Sequence, residues 1–252
     1  YLLGYDIIQV QAKDRISPLD RERVKQASTR LVGLEIVEEN HSNIVMQCLL
    51  EPSTFPPQKI LRREYSIASG VHRDAVTALL EGDVELAKNV VARDNEVNRL
   101  YFLLVRVLRT VIQNPGLSEK LGILPIDCLD YRLAASLVES IGDHSAAIGE
   151  TVIKLAGAKI AGNISELILR LHKVAYESHE NAMNAVFYHN ISVAESVRSE
   201  REKVESVFHQ IEAAVLDLPA EVGRHLLAVA SSIHQIYGNS VDIADLVMPK
   251  IP

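Results

Sequence analysis

The sequence predicts a mainly α-helical fold: a tandem pair of three-helix bundles, six long antiparallel helices in all, preceded by a small βαββ module. Three observations predict it. Beyond Pro57, apolar residues recur with a 3.6-residue period over long stretches separated by short breaks. Before Pro52 the rhythm is that of short strands around one helix. The helical part also repeats itself, as a duplicated bundle would.

Composition narrows the functional classes. The 252 residues suffice for one large or two ordinary domains. With 48% apolar residues, 12 Gly and 9 Pro, the chain is neither disordered nor collagen-like. A net charge of −7 argues against nonspecific binding of nucleic acid or anionic lipid by this segment. Cys48 and Cys128 are too few for a disulfide framework or a thiolate zinc site, which points to a reducing, cytoplasmic compartment. The longest apolar run, Leu100 to Ile112, is interrupted by Arg106 and Arg109, so no membrane span is expected. No signal peptide is visible.

In chain order, Tyr1-Leu2-Leu3-Gly4 reads as the last turn of a helix closed by glycine, implying a piece upstream. Asp6 to Val10 reads as a strand. Ser17-Pro18-Leu19-Asp20 combines an N-cap, a proline at the first helical position and a carboxylate three residues after the cap, opening an amphipathic helix that Gly33 ends. Leu34 to Val37 and Ile44 to Leu50 complete the module, domain 1–52, and Pro52, Pro56 and Pro57 punctuate its end.

The first bundle is expected at 56–157. Its helices run 58–80, then from an Asp83 cap to Asn114, then 128–155 with Asp127 as cap, after a loop at 115–127. Gly157 and Gly162 flank a soft connection. The second bundle, 163–252, has helices near 164–189, 191–216 and 220–247, capped by Asn190 and Asp217. Short turns between long helices favour antiparallel packing.

The repeat places Asp83-Val84-Glu85-Leu86-Ala87 on Asn190-Ile191-Ser192-Val193-Ala194, and Asp94 to Asn98 on Arg201 to Glu205. Glu139-Ser140-Ile141-Gly142-Asp143 falls on Gln235-Ile236-Tyr237-Gly238-Asn239, if 115–127 is an insertion.

Asp94 and Asn98 lie one turn apart on the face that also carries Ala87, Val90, Val91, Tyr101, Leu108 and Val111. Glu139 and Asp143 form a similar pair. Burying carboxylates without a counter-charge costs several kcal/mol per ion, and a hard cation held by oxygen donors offsets that cost. The alternative is an ordinary solvated pair on each helix. Gly142, inside a helix at a cost of about 1 kcal/mol, indicates close approach of a neighbouring helix or a ligand.

Over residues 58 to 252 the sequence resembles the PhoU family, regulators of phosphate uptake. The resemblance rests on Glu139-Ser-Ile-Gly-Asp143-His144 with Ile148-Gly-Glu150, close to the family's Glu-Arg-Ile-Gly-Asp signature, and on Asp94-Asn95-Glu96-Val97-Asn98, similar to its partner acidic motif. It implies a pair of three-helix bundles and a multinuclear metal site (Fe, Zn, Mn or Mg) at Asp94, Asn98, Glu139 and Asp143. The second half departs from the pattern. Arg201 stands where an acid belongs, although Glu205 remains, and Gln235 and Asn239 replace two further acids. Metal is therefore expected in the first bundle alone.

The resemblance further implies a non-enzymatic regulator of phosphate uptake and homeostasis. It would dock on phosphate-transporter or signalling components, with a homodimer as a compatible assembly. Leu2 to Ile8 and Leu34 to Glu38 are similar to the linking segment of archaeal PhoU-like proteins that carry an AbrB-type DNA-binding hairpin. The alternative is thus the sensing and dimerising part of a transcriptional regulator, its DNA reader upstream of Tyr1.

A metal-dependent hydrolase fits poorly. Bundle di-metal enzymes place Glu three residues before His, whereas Ile141 and Tyr176 precede His144 and His179. No phosphate loop or nucleophile elbow is present, and Cys48 and Cys128 read as structural. His144, His172 and His179 read as surface residues, and Lys59, Arg62 and Arg63 as a solvated helix face.

Overall fold

Ser17 opens the first helix as its sequence requires. Its Oγ accepts the Asp20 amide at 3.1 Å and donates to the Asp20 carboxylate at 2.7 Å, and α1 runs Pro18–Thr29. In the computed structural model, which describes residues 1–155, 160 and 162–247, this helix covers an antiparallel sheet. Its strands are β1 (Ile7–Gln11), β2 (Leu34–Glu39) and β3 (Asn43–Cys48), in the order β1-β3-β2. A register shift between Ile36 and Glu38 interrupts the β2–β3 pairing. Ile16, Leu34, Ile44, Met46 and Cys48 form the module's core, with Val24 and Leu31 packed against it. Tyr1 to Gly4 form a turn: Gly4 N–H donates to Tyr1 O at 3.0 Å, with Gly4 at φ +88°.

The helical part follows as α2 (Pro57–Glu81), α3 (Val84–Gln113), α4 (Pro115–Leu121) and α5 (Pro125–Lys154). It continues with α6 (Gly162–Tyr188), α7 (Ile191–Ser199), α8 (Arg201–Ala214) and α9 (Ala220–Asp245). Asp83 caps α3 through the Leu86 amide at 2.9 Å, and Asn190 caps α7 through the Val193 amide at 3.2 Å, both as expected.

Four local expectations are corrected. The segment 115–127 is not a plain loop, because Asn114 caps the short α4 through the Leu117 amide at 3.2 Å. Asp127 is not the cap of α5. The helix begins at Pro125, and Asp127, inside its first turn, reaches back to accept the Leu124 amide at 2.9 Å. The helix expected at 191–216 is two helices, because at Glu200 the bonding tightens to the Val197 carbonyl before the α pattern resumes. Asp217 lies in a 3₁₀ turn, and α9 is entered through Pro219 with no side-chain cap. Gly157, and with it the expected bundle boundary at 157, lies outside the described residues.

Packing divides the chain into two units whose borders cross α2, α3 and α5. The first comprises 1–64 and 98–135. In it Arg106, buried on α3, donates to the carbonyls of Tyr1 at 3.2 Å and Tyr5 at 2.8 Å and pairs with Asp6. Gln58 Nε2 donates to Tyr131 Oη at 2.6 Å, tying the start of α2 to α5.

The second unit comprises 65–97 and 136–252. Its α6 packs along α9 and against α7 and α8, burying Ile164, Ile168 and Leu171 of α6 and Leu226, Ile233 and Ile236 of α9. No helix among the described residues is long and apolar enough to cross a membrane.

Candidate functional site

The acidic motifs meet where α3 and α5 approach closely within the second unit. A Cβ built on Gly142 would lie 3.1 Å from Asp94 Oδ1 and 3.3 Å from Val97 Cγ1. One built on Gly149 would lie 3.0 Å from Val90 Cγ1 and 3.1 Å from the Ala87 carbonyl oxygen. Glycines two turns apart on α5 therefore let α3 in, and of the two expected causes of Gly142 the approaching helix is present. At its counterpart in the repeat, Gly238, an added Cβ would meet nothing within 4 Å.

Asp94 is half-buried, with Oδ1 shielded from solvent. Beside it Arg93 pairs with Asp74 of α2 at 2.6 Å and lies over Gly70. Glu139 is half-buried, and Asp143 lies on the exposed side of the motif. Burial raises the Asp143 carboxyl pKa against the opposing effect of His144, and lowers that of His144 against the opposing effect of Asp143. His144 is half-buried rather than fully solvent-facing. Asn98, one turn along α3, belongs to the first unit.

Within the second unit, Asp94, Glu139 and Asp143 carry oxygen donors of the kind a hard cation takes. Among the described residues, however, no three His, Cys, Asp or Glu side chains are grouped so as to hold a metal ion.

The departures from the acidic motif have their own structural places. Arg201 is exposed at the start of α8, and Gln235 is exposed on α9. Asn239 donates through Nδ2 to Ser140 Oγ at 2.9 Å, joining the neutral counterpart of the motif to the motif itself.

The polar cluster that the sequence did not reveal joins α2 to α6. His172 Nδ1 lies 3.2 Å from His72 Nε2, His72 Nδ1 lies 3.1 Å from His179 Nε2, and His179 Nδ1 lies 2.9 Å from Tyr65 Oη. Tyr176 packs against all three imidazoles, and its hydroxyl accepts from Ser69 Oγ at 2.9 Å. His72 and His179 are fully buried, so the reading of His179 as a surface residue is corrected, and His172 is mostly buried. Burial holds all three neutral: His172 is lowered to about 4, His179 to about 3, and His72 well below the ordinary value, with the neighbouring imidazoles adding to the effect on His72 and His179.

A neutral imidazole has one N–H and one lone pair, so the row is satisfied with its protons pointing either toward Tyr65 or toward His172. His172 and His179 are seven residues apart, two helical turns, which is the one sequence signal that could have placed them on a common face.

The PhoU domain model matches residues 61–152. Over that stretch the chain is similar to the PhoU domain. Asp94, Asn98, Glu139, Gly142 and Asp143 all fall inside the match, which ends before α6. The fold extends the likeness further. The crystal structure of PhoU from Pseudomonas aeruginosa superposes with a TM-score of 0.68 at 16% identity, covering 77% of this chain and 95% of that one. The phosphate transport system regulatory protein PhoU from Streptococcus pneumoniae gives 0.64 at 16% identity, covering 76% and 91%. No curated protein sequence matches this chain. The PhoU fold therefore spans both copies of the repeat, while the sequence signature of the PhoU domain is confined to the first.

Proposed function

We propose that this protein is a non-enzymatic regulator of phosphate uptake that acts by docking its helices on protein partners of the phosphate-transport or signalling machinery. The observation that carries the reading is the PhoU domain match at 61–152 within a fold covering 95% of the Pseudomonas PhoU chain. Long amphipathic helices suit helix-on-helix contacts with a partner.

The test is a deletion strain of the source organism, assayed for uptake of labelled phosphate in rich and phosphate-limited medium. Deletion should change the uptake rate or its response to phosphate, and the full chain supplied in trans should restore it. Unchanged uptake in both media would refute the reading.

Metal assistance at Asp94, Asn98, Glu139 and Asp143 belongs to the same proposal. Support comes from the oxygen-donor chemistry of these residues and the space kept open against Asp94 by Gly142.

A further inference from the structure

The first unit presents an open apolar groove between the C-terminal half of α3 and the start of α5, with a cavity of about 300 Å³. Its floor is Val105, Leu108 and Cys128, all buried, and its rim is Ile112 and Leu129, which stand 45% and 55% exposed. Beyond the rim, Ile126 and Leu133 continue an apolar line along α5 with Leu129, at spacings of three and four residues. Among the described residues of the second unit the exposed large apolar side chains are Leu169, Tyr188, Ile191 and Leu216, which form no such line.

Two arginines flank the groove. Arg109 comes from α3, and Arg132 from α5, where its guanidinium carbon sits 4.9 Å from the Tyr101 ring centroid. Among the described residues no carboxylate lies within ion-pair distance of either. From Asn98 to Gln113, α3 carries Arg99, Arg109 and the buried, paired Arg106 and no Asp or Glu, while on α5 Asp127 accepts the Leu124 amide and Asp130 is exposed beside Leu129.

We infer that this groove receives an amphipathic helix of a partner protein whose apolar side is flanked by carboxylates. Helix-in-groove docking uses apolar anchors at i, i+3, i+4 and i+7. The two arginines supply the matching cationic flank, which steers the encounter and sets its specificity. A second copy of this chain is a poorer occupant. Among the described residues the second unit offers no contiguous apolar line to lay into the groove.

The inference rests on the regulatory reading and gives it a surface. It is tested on the full chain with a fluorescein-labelled helical peptide bearing leucines at those spacings and glutamates beside them. Saturable binding by anisotropy is expected, weakened at least about 10-fold in Arg109→Glu/Arg132→Glu and also weakened in Leu129→Ser. Replacing the probe's glutamates by lysines should restore binding to the double variant, a recovery that a misfolded protein could not show. Equal binding of acidic and basic probes, or no binding of either, overturns the inference. So does sedimentation showing a dimer that Leu129→Ser dissociates, which would assign the face to self-association. If these arms fail while phosphate uptake still depends on the protein, the groove assignment falls and the regulatory reading stands.

Discussion

His72 Nδ1 and His179 Nε2 face each other across 3.1 Å in a fully buried contact between α2 and α6, with room for a single hydrogen between them. Tyr65 and His172 close the two ends of the row, so the contact is satisfied only while the rings are neutral or hold one added proton. A second added proton would set N–H against N–H. The row therefore binds α2 to α6, and Glu180 adds to burial in raising the Tyr65 hydroxyl pKa.

This arrangement predicts acid lability with a defined sign. His172 falls from an ordinary value of 6.5 to about 4 in the folded protein, so the unfolded chain binds protons first as the pH drops. The stabilisation is complete above about 6.5 and is lost progressively toward 4, with His172 alone accounting for about 3 kcal/mol. Thermal melts from pH 7.5 downward should show this slope, and the rings should titrate as a unit. In His72→Leu/His172→Leu/His179→Leu the slope should flatten. An unchanged slope in that variant would place the acid lability elsewhere.

Two helical glycines, Gly149 of α5 and Gly238 of α9, should respond oppositely to alanine. At Gly149 the added methyl would meet the Ala87 carbonyl oxygen at 3.1 Å, a backbone atom that cannot swing aside, so Gly149→Ala is expected to cost about 1–3 kcal/mol. Gly238→Ala meets nothing within 4 Å in the interior of α9 and should stabilise by about 0.5–1 kcal/mol. Chemical denaturation of the two variants checks the pair.

Arg106→Met should loosen the entry into β1. The buried guanidinium supports the carbonyls of Tyr1 and Tyr5, and its loss leaves them without that donor, at a cost of about 1–3 kcal/mol. Hydrogen exchange should rise first at Asp6 to Gln11, with the amides of α9 unaffected.

If the proposed metal site forms, purified protein should contain iron, zinc, manganese or magnesium by elemental analysis. Glu139→Ala/Asp143→Ala should lower that content while far-ultraviolet dichroism keeps the wild-type helical signal. Wild-type protein that stays metal-free after incubation with these ions would remove the metal from the proposal.

Features that neighbouring residues decide are legible along the chain. Ser17, Asp83 and Asn190 cap amides three residues onward, and Gly142 marked a close approach because a glycine inside a helix needs a reason. The fold class followed from apolar period and repeat, and the acidic motif from its own spacing. Tertiary structure alone decided which distant residues meet. His72 and His179 are 107 positions apart, and each reads locally as an ordinary helical histidine until the packing of α2 on α6 buries both. Arg106 looked only like an interruption of an apolar run, because its partners, Tyr1, Tyr5 and Asp6, lie about a hundred residues away. A side chain's local pattern sets its helix and its face, but burial and the partner across the contact set its charge, and those exist only once the helices have packed.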